Sequence, residues 1–378
     1  MPTPITQFST TPLSTAPATF DARMDIRIAE QERFVTETNV LAADMNLYAL
    51  AGPGAASLPR SKNDIINGDF RIAQAGTSIA APANGAYDLD GWFNGNISAA
   101  VFTVAQAAGS TAGRLARSVT ITTADASVAA GDVVHDATRI EGYNIVKYVG
   151  NTFTIGFRAR VPVAGIHCVS LRNSGQDRSY VKEINFPAAN VWQDCLVTVV
   201  GGLPTSGTWN YTNGVGLSVS FLHMCGTTFQ TTPDAWQTGN LFGTTNQVND
   251  CATVGNVWAI EKFTMNLGTV AAVSEVSYED EERRCKRQYR VGVIGTVGAS
   301  SDANSNTSVS LGFNIEMRAA PVITNAAFIY RRAGVTDIAG ATVPFDVTPT
   351  SVSFAVASGA AYVPVTIVIG SYVASARL

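Results

Sequence analysis

The segment Phe153-Thr154-Ile155-Gly156-Phe157-Arg158-Ala159-Arg160-Val161 alternates between apolar residues and polar or small ones without a break. This period of two places the apolar side chains on one face of a β-strand. Residues 217–221 and 119–121 repeat the pattern, and the turn-forming clusters Asn173-Ser174-Gly175 and Asn213-Gly214 separate such runs. Short alternating strands with Gly and Asn turns predict a mainly β protein, with an antiparallel sandwich of the jelly-roll type.

A charged run interrupts the β pattern at residues 278–290, Tyr-Glu-Asp-Glu-Glu-Arg-Arg-Cys-Lys-Arg-Gln-Tyr-Arg. Opposite charges stand four residues apart and in the favourable order for a helix. The pairs are Glu279 with Arg283, Asp280 with Arg284, and Glu282 with Lys286. We therefore expect a short helix that closes a sandwich domain of residues 64–290. Its charges are typical of a solvated or interface face, and we assign it no chemistry.

Strands resume in residues 291–378, which we expect to form a small C-terminal β domain. The alternating apolar positions are Val309, Leu311, Phe313, Ile315 and Met317, then Val363, Val365, Ile367 and Ile369. Charged residues are scarce here, and an exposed monomeric β domain of this kind would risk pairing through its strand edges. Burial in an oligomer would relieve that risk.

The N-terminal 62 residues have a different character. Prolines in residues 1–18 predict an extended docking arm, and two Pro and two Gly in residues 51–63 predict a linker. Between them, residues 19–50 carry apolar side chains at helical spacing, with Thr19 as N-cap and Asp21 in the first turn. The stripe includes Phe20, Met24, Ile28, Val35, Leu41 or Ala42, Met45 and Tyr48.

The helical stripe has no obvious partner in nearby sequence, so we expect it to pair with copies of itself as a coiled coil. The oligomerisation contacts would come from Phe20, Met24, Ile28, Val35 and Met45. The alternative is that the stripe packs on the β domains.

Bulk composition excludes several classes of function. Charged residues are 14% of the chain and the net charge is −4, with no basic stripe, which argues against nucleic-acid binding. Met1-Pro2-Thr3-Pro4 does not begin a signal peptide, and no apolar run reaches about 18 residues. We therefore expect synthesis and assembly in the cytoplasm and no membrane insertion. The five cysteines form no CxxC pair, and we expect them to be reduced and buried.

No motif for catalysis, a metal or a cofactor stands out. His135, His167 and His223 are interpreted as separate structural residues, since none has metal-ligand spacing. Residues 302–306 resemble the start of a calcium loop, but Thr307 and Phe313 replace its Gly and Glu, which favours a hairpin turn. A glycosidase would need a carboxylate pair. Asp88, Asp90 and Glu141 could supply one, but the long β-helix repeats typical of depolymerising fibres are not visible.

Aromatic residues in loops are the candidate ligand-binding groups, because sugars present flat C–H faces that pack on aromatic rings. Trp209 and Tyr211 lie in a turn-rich segment, and Trp236 lies in another. Trp92 is a further candidate. Trp258, inside an alternating run, is expected in the core.

Several motifs resemble those of bacteriophage tail fibres with a carbohydrate-binding-module-like sandwich. Gly91 stands where Arg is more usual before the Trp. The motifs are Asn67-Gly-Asp-Phe-Arg-Ile-Ala-Gln-Ala-Gly-Thr-Ser78, Tyr87-Asp-Leu-Asp-Gly-Trp92, Arg139-Ile-Glu-Gly142, residues 153–159, Trp192-Gln193, Gly207-Thr-Trp209 and Tyr278 to Tyr289. Residues 317–321 and 376–378 are similar to the tip domain of such fibres, and residues 17–46 resemble a fibre anchor.

The resemblance implies a homotrimeric virion protein that lies outside the host cell once the particle is assembled. Its residues 1–50 would bind other virion proteins, and its β domains would bind a host glycan or surface protein. Two alternatives remain open: a purely structural virion component such as a head fibre, collar or decoration protein, and a depolymerase.

Overall fold

The computed structural model describes residues 63–269, 276–300, 306–332, 338–340, 342–357 and 363–378. Residues 63–378 form one compact unit. The predicted arm, the helix of residues 19–50 and its apolar seam lie outside the described residues, as do residues 302–305 and the linker up to residue 62. No helix in the described part is both long and apolar enough to cross a membrane.

Antiparallel strands dominate the described residues, as the sequence predicts. The helices are Gly142–Ile145, Tyr278–Gln288 and the 3-10 turns Val146–Tyr148, Thr227–Phe229 and Asp250–Ala252. The strands are β1 Ser78–Ala80, β2 Trp92–Ile97, β3 Val101–Ala108, β4 Leu115–Thr123, β5 Val133–Glu141, β6 Phe153–Arg160, β7 Gly165–Asn173, β8 Arg178–Phe186, β9 Gln193–Val199, β10 Val215–Cys225, β11 Trp236–Thr238, β12 Val257–Leu267, β13 Tyr289–Ser300, β14 Asn306–Gly312, β15 Val322–Arg332, β16 Ile338–Gly340, β17 Thr342–Phe345, β18 Ser351–Ala357 and β19 Val363–Ser375.

Two six-stranded sheets form the sandwich. Sheet A has the order β1-β3-β4-β12-β6-β9, and sheet B has the order β11-β8-β7-β10-β5-β2. The antiparallel pairs β7·β8, β6·β9, β5·β10 and β4·β12 are nested in the chain and alternate between sheets B, A, B and A. This wrapping of nested pairs around two layers is a jelly roll, so the predicted sandwich and its form are confirmed.

The core lies between the two sheets and follows the predicted alternation. Phe153, Ile155 and Phe157 of β6 are buried, and they face the buried Leu217, Val219 and Phe221 of β10. Phe157 contacts Phe221 across the layers with a ring-centroid distance of 5.4 Å. The sequence therefore predicts the inward face of both strands.

All five cysteines are free and buried, which confirms the expectation for the thiols. Burial raises the pKa of Cys168 to about 11 and that of Cys195 and Cys225 to about 12. Burial also raises the pKa of Cys251 and of Cys285. At neutral pH these thiols are protonated and behave as small apolar side chains.

A network of charges is buried inside the sandwich. The guanidinium of Arg117 on β4 lies 2.6 Å from a carboxylate oxygen of Asp88 and 2.6 Å from one of Asp136, and all three side chains are inaccessible. His223 continues the network from Asp136 to Asp250, at 3.2 and 2.9 Å. His167 lies 2.9 Å from the same oxygen of Asp250.

Two of the three histidines are therefore joined through Asp250, which corrects the interpretation of each as a separate residue. Burial alone would raise the pKa of Asp136, but Arg117 and then His223 lower it well below its usual range. Asp136 is consequently ionised inside the core. It also accepts a hydrogen bond from the indole N–H of Trp258, the core residue expected from the sequence.

A helix forms at Tyr278–Gln288, as the charge spacing predicts, but its charged face is not simply solvated. The Glu282–Lys286 pair forms at 2.9 Å, whereas Arg283 and Arg284 pair three residues back, with Asp280 and Glu281. Glu281 is 2% exposed, and Arg284 also donates to the backbone oxygen of residue 63 at 2.8 Å. The ion pair of Arg284 compensates the buried charge of Glu281. The helix is attached to the sandwich by the ion pair of Arg287 with Glu141 of β5 and by the backbone N–H of Asn67, which donates to Glu281.

Residues 291–378 form a four-stranded sheet of order β13-β19-β15-β16 and a three-stranded sheet of order β14-β18-β17. The alternation over residues 309–317 predicts one strand, but β14 ends at Gly312. Beyond it, the amides of Phe313 and Met317 donate to the backbone oxygens of Thr350 and Pro349. Phe313 and Met317 are buried, so their apolar character serves a packed turn rather than a strand. The boundary between the two predicted β domains stays a prediction.

We expect Arg117→Gln to destabilise the protein by about 3–5 kcal/mol, because it leaves the buried Asp88 and Asp136 without the guanidinium that joins them. The free energy of unfolding in urea measures the effect. The matched control is Arg283→Gln, which removes the same charge from a side chain that is 64% exposed. The control should stay within about 0.5 kcal/mol of the parent protein. Equal losses in both variants would show that the buried network contributes nothing specific.

Candidate functional site

The outer face of sheet B carries an open cleft of about 400 Å³. It lies opposite the sandwich core and spans β2, β5, β10 and β7, with loop residues on its rims. Because side chains alternate along a strand, the residues that face this cleft are the neighbours of core residues in sequence. Asp136 points into the core, for example, while His135 lines the cleft.

Strand register sets the floor of the cleft. Ser218 on β10 lies opposite Arg139 of β5 on one side and opposite Arg172 of β7 on the other. In the next row, Ser220 lies between Ala137 and Ser170, and these three small residues are buried and do not line the cleft. The small Ser218 at the centre and the arginines at its sides make a trough in the sheet surface.

Aromatic rings form the walls of the cleft beside the arginines. The guanidinium carbon of Arg139 lies 4.3 Å from the ring centroid of Phe93, and that of Arg172 lies 3.7 Å from the ring centroid of Phe242. The imidazole of His135 lies 4.7 Å from the Phe242 ring. These cation–π and ring contacts fix the guanidinium planes before any ligand arrives.

Gly95 allows His135 to take its position. A Cβ atom built at Gly95 would lie 2.1 Å from Nε2 of His135, so any other residue would displace the imidazole. The glycine therefore belongs to the site although it has no functional group of its own.

Several buried polar atoms on this face have no hydrogen-bond partner within the described part of the chain. They are Nδ1 of His135, Nε of Arg172 and the hydroxyls of Ser170 and Ser220. Arg172 and His135 are 7% and 5% exposed. Since unpaired buried polar groups are costly, such a cluster beside a cleft points to a polar ligand or ordered water.

The electrostatics of the cleft are positive. Burial, followed by the charge of Arg139, lowers the pKa of Arg172 to about 9, so its guanidinium stays protonated at neutral pH. Burial and then the charge of Arg172 lower the pKa of His135 well below its ordinary value. His135 is thus a neutral imidazole, with one nitrogen able to accept a hydrogen bond.

The predicted aromatic residues Trp209, Tyr211 and Trp236 do not line this cleft. Trp209 and Trp236 come together edge-on, with ring centroids 5.8 Å apart, and Tyr180 lies 5.7 Å from Trp236. Both tryptophans pack against the main core, and both indole N–H groups donate to backbone oxygens at 2.9 Å. They are half-buried, while Tyr211 is 39% exposed. A ligand role for these three residues stays a prediction.

Trp92 is a correction to the sequence-based expectation. It is 1% exposed and packs between Phe70 and Phe263, with centroid distances of 4.9 and 5.1 Å. Its ring faces are covered by the core and cannot receive a sugar.

The cleft residues Phe93, His135, Arg139, Arg172 and Phe242 were not predicted as a site. A signal was available in part, because charged Arg139 and Arg172 occur inside alternating strands on the face opposite the core residues. Their convergence depends on β5 and β7 both flanking β10, which the sequence pattern does not reveal.

No group of His, Cys, Asp or Glu suited to a metal ion occurs among the described residues. The carboxylates considered for glycosidase chemistry have structural partners. Asp88 pairs with Arg117, Glu141 pairs with Arg287, and Asp90 accepts from the backbone and side chain of Gln74 at 2.7 Å.

A second cavity of about 360 Å³ lies between the closing helix and β12, with Asp69, Arg71, Lys262 and Glu281 in its lining. Asp69 pairs with Arg71, and Glu281 pairs with Arg284. Its lining carries charges of both signs, whereas no aspartate or glutamate lines the cleft of sheet B, so that cleft is the candidate site.

No protein-family model matches the chain, and no curated protein matches it. Among solved structures, a CBM4 carbohydrate-binding module is 17% identical, covering 54% of this chain and 99% of its own, with a TM-score of 0.31. TmCBM61 in complex with β-1,4-galactotriose is 11% identical, covering 55% and 100%, with a TM-score of 0.27.

The arabinose-bound arabinofuranosidase MgGH51 is 14% identical over 55% of this chain, with a TM-score of 0.32, and the match spans only 27% of the enzyme. TM-scores of this size do not establish a common fold. The assignment of a jelly roll rests on the strand order of the chain itself.

We expect His135 and His223 to differ in charge at pH about 6.5, where an unperturbed imidazole is half protonated. Burial would lower the pKa of His223, but the carboxylate of Asp136 and hydrogen bonds to Asp136 and Asp250 raise it. NMR of imidazole nitrogens should show His223 protonated and His135 neutral, with assignment by His135→Asn. Two histidines that titrate together near pH about 6.5 would contradict the burial of both sites.

The two histidines should also act oppositely on stability. His223 adds to the free energy of unfolding below about pH 6.5, and this stabilisation is lost as the pH rises through the raised pKa of His223 in the folded state. His135 is held neutral in the folded state, so it costs stability as the pH falls below about 6.5. Urea unfolding of His135→Asn and of the parent protein across this pH range would separate the two contributions.

Proposed function

We propose that the chain is a non-catalytic carbohydrate-binding protein that holds its ligand in the cleft of sheet B. The observation that carries this proposal is the trough over Ser218 bordered by Phe93 and Phe242, with unpaired polar atoms at its sides. Saccharides combine apolar C–H faces with many hydroxyl groups. A cleft that pairs aromatic rings with free donors and acceptors is complementary to both features.

Binding rather than hydrolysis is favoured by the chemistry within the described residues. A glycosidase requires one carboxylic acid and one carboxylate on either side of a glycosidic bond. No aspartate or glutamate lines the cleft among the described residues, and Asp88 and Glu141 are bound to arginines elsewhere. The groups available in the cleft donate and accept hydrogen bonds but offer no acid–base pair.

We also propose that this binding serves attachment of a bacteriophage fibre to its host. Support comes from the sequence motifs that resemble phage tail fibres and from the apolar seam of residues 19–50, which would join three chains. Residues 1–50 would hold the fibre on the virion. Three clefts on one fibre and several fibres on one particle would convert weak single-site binding into firm attachment.

The test is binding of the fluorescently labelled full chain to intact bacteria of candidate host strains, with and without periodate oxidation of their surface glycans. Loss of binding after oxidation is the expected result, because periodate destroys vicinal diols of sugars. Binding that survives oxidation would overturn the glycan as receptor. No binding to any untreated strain would leave the structural virion component as the better reading, and released reducing sugar would favour a depolymerase.

The cleft itself is tested by Ser218→Tyr, which fills the floor between Arg139 and Arg172. Binding should weaken at least about tenfold, equivalent to about 1.4 kcal/mol of lost contact energy. The matched control is Leu196→Tyr on β9 of sheet A, where the side chain is 62% exposed. Trp209→Ala and Trp236→Ala form the competing test. If they abolish binding while Ser218→Tyr does not, the ligand lies at the tryptophan pair.

A further inference from the structure

The charge of the cleft is opposite to that of the whole chain. The chain has a net charge of −4, yet its cleft is lined by the charged Arg139 and Arg172 and the neutral His135, with no aspartate or glutamate among the described residues. A chain with more acidic than basic residues would not be expected to place two arginines in one trough without an aspartate or glutamate beside them. This local excess suggests that the ligand supplies the missing negative charge.

Arg172 is the central group of this argument. No carboxylate in the described part of the chain forms an ion pair with Arg172, although only 7% of the residue is exposed. Nη1 donates to the side-chain oxygen of Asn240 at 2.8 Å, and Nε has no acceptor. A buried guanidinium ordinarily has an anionic partner, because desolvating the charge alone is unfavourable.

Arg139 lies two strands away in the same row, on the other side of Ser218. With strands about 4.8 Å apart, the two backbones are separated by about 10 Å, a distance that one sugar ring between the side chains can span. Arg139 donates one hydrogen bond to the oxygen of Leu378 and rests on Phe93, and no aspartate or glutamate among the described residues pairs with it.

A comparison of Arg172 with the buried Arg117 also indicates that the ligand supplies a negative charge. Arg117 is fully buried too, but it contacts two aspartates at 2.6 Å each. The fold can therefore neutralise a buried guanidinium where its role is structural. On the outer face of sheet B it does not do so.

We infer that the cleft binds an acidic saccharide, with its carboxylate or phosphate on the guanidinium of Arg172, Arg139 as the second cation and Phe242 and Phe93 against the sugar. This inference rests on the proposed function and narrows its ligand class. The planar guanidinium of arginine offers paired N–H donors that match two oxygens of such an anion.

The experiment is binding of the labelled full chain to an array of matched glycan pairs. Each carboxylated glycan, polygalacturonate included, is printed beside its methyl-esterified form, and phosphomannan is printed beside its dephosphorylated form. The expected result is at least about tenfold stronger binding to the acidic member of a bound pair, which falls as NaCl rises. The carboxylate and phosphate pairs distinguish the two sources of charge.

Two variants connect the preference to the site. Arg172→Gln should abolish the preference for the acidic member, while Arg172→Lys should retain part of it, since lysine keeps the charge but loses the paired donors. Arg283→Gln on the closing helix is the matched control and should leave the preference unchanged. Circular dichroism and thermal unfolding of each variant verify that it folds.

Each outcome has a separate meaning. Equal binding to both members of every bound pair, or stronger binding to the neutral members, would overturn the acidic-ligand inference while supporting carbohydrate binding. An acidic preference that survives Arg172→Gln in a folded protein would overturn the assignment to this cleft. Absence of binding to every glycan on the array would overturn the proposed function as well.

Discussion

The guanidinium of Arg117 and the carboxylates of Asp88 and Asp136 must be paired before the two sheets can close over them. Arg117 belongs to sheet A and Asp136 to sheet B, so their ion pair joins the two layers. His223 and Asp250 extend the contact to a loop that precedes β12. Hydrophobic burial alone would tolerate several relative positions of two sheets, but desolvated charges tolerate few, because an unpaired one costs several kcal/mol. This network specifies one register for the sandwich.

The buried ion pairs also determine the shape of the cleft, because β5 contributes residues to both. Asp136 on its inner face is held by Arg117 and Asn94, and the adjacent His135 and the nearby Arg139 extend from its outer face. Fixing the inner side chains fixes the pleat, and the pleat determines the direction of the outer side chains. Gly95 on the neighbouring strand then leaves space for the imidazole. The cleft is therefore preorganised by the core, which limits the entropy lost when a ligand binds.

Local patterns allowed much of the fold to be predicted from the sequence. The alternation in residues 153–161 gives the inward face of β6, and the opposite charges in residues 278–290 give the closing helix, because both depend on spacing along one element. The end of β14 at Gly312 was missed since Phe313 and Met317 keep the apolar period while packing in a turn. Tertiary burial, which alternation cannot distinguish from a strand, explains that error.

The site was less accessible to prediction. Tryptophans were favoured because loop aromatics often bind sugars, yet Trp92 fills the core and Trp209 packs edge-on against Trp236. Arg139 and Arg172 are separated by more than thirty residues and meet only because β5 and β7 both pair with β10. Which strands become neighbours is decided by the nested wrapping of the jelly roll. A single sequence gives no direct measure of that long-range pairing.

The buried thiols can report local unfolding of the elements that cover them. Cys168 and Cys225 on sheet B are covered by the segment of residues 242–247, whereas Cys285 is on the buried face of the helix Tyr278–Gln288. An alkylating reagent can reach each sulfur only when its covering element detaches, so modification rates record how often that element opens. Mass spectrometry of the modified chain would distinguish opening of the helix from opening of the segment of residues 242–247. The unmodified protein thus carries the probes needed to follow its local unfolding residue by residue.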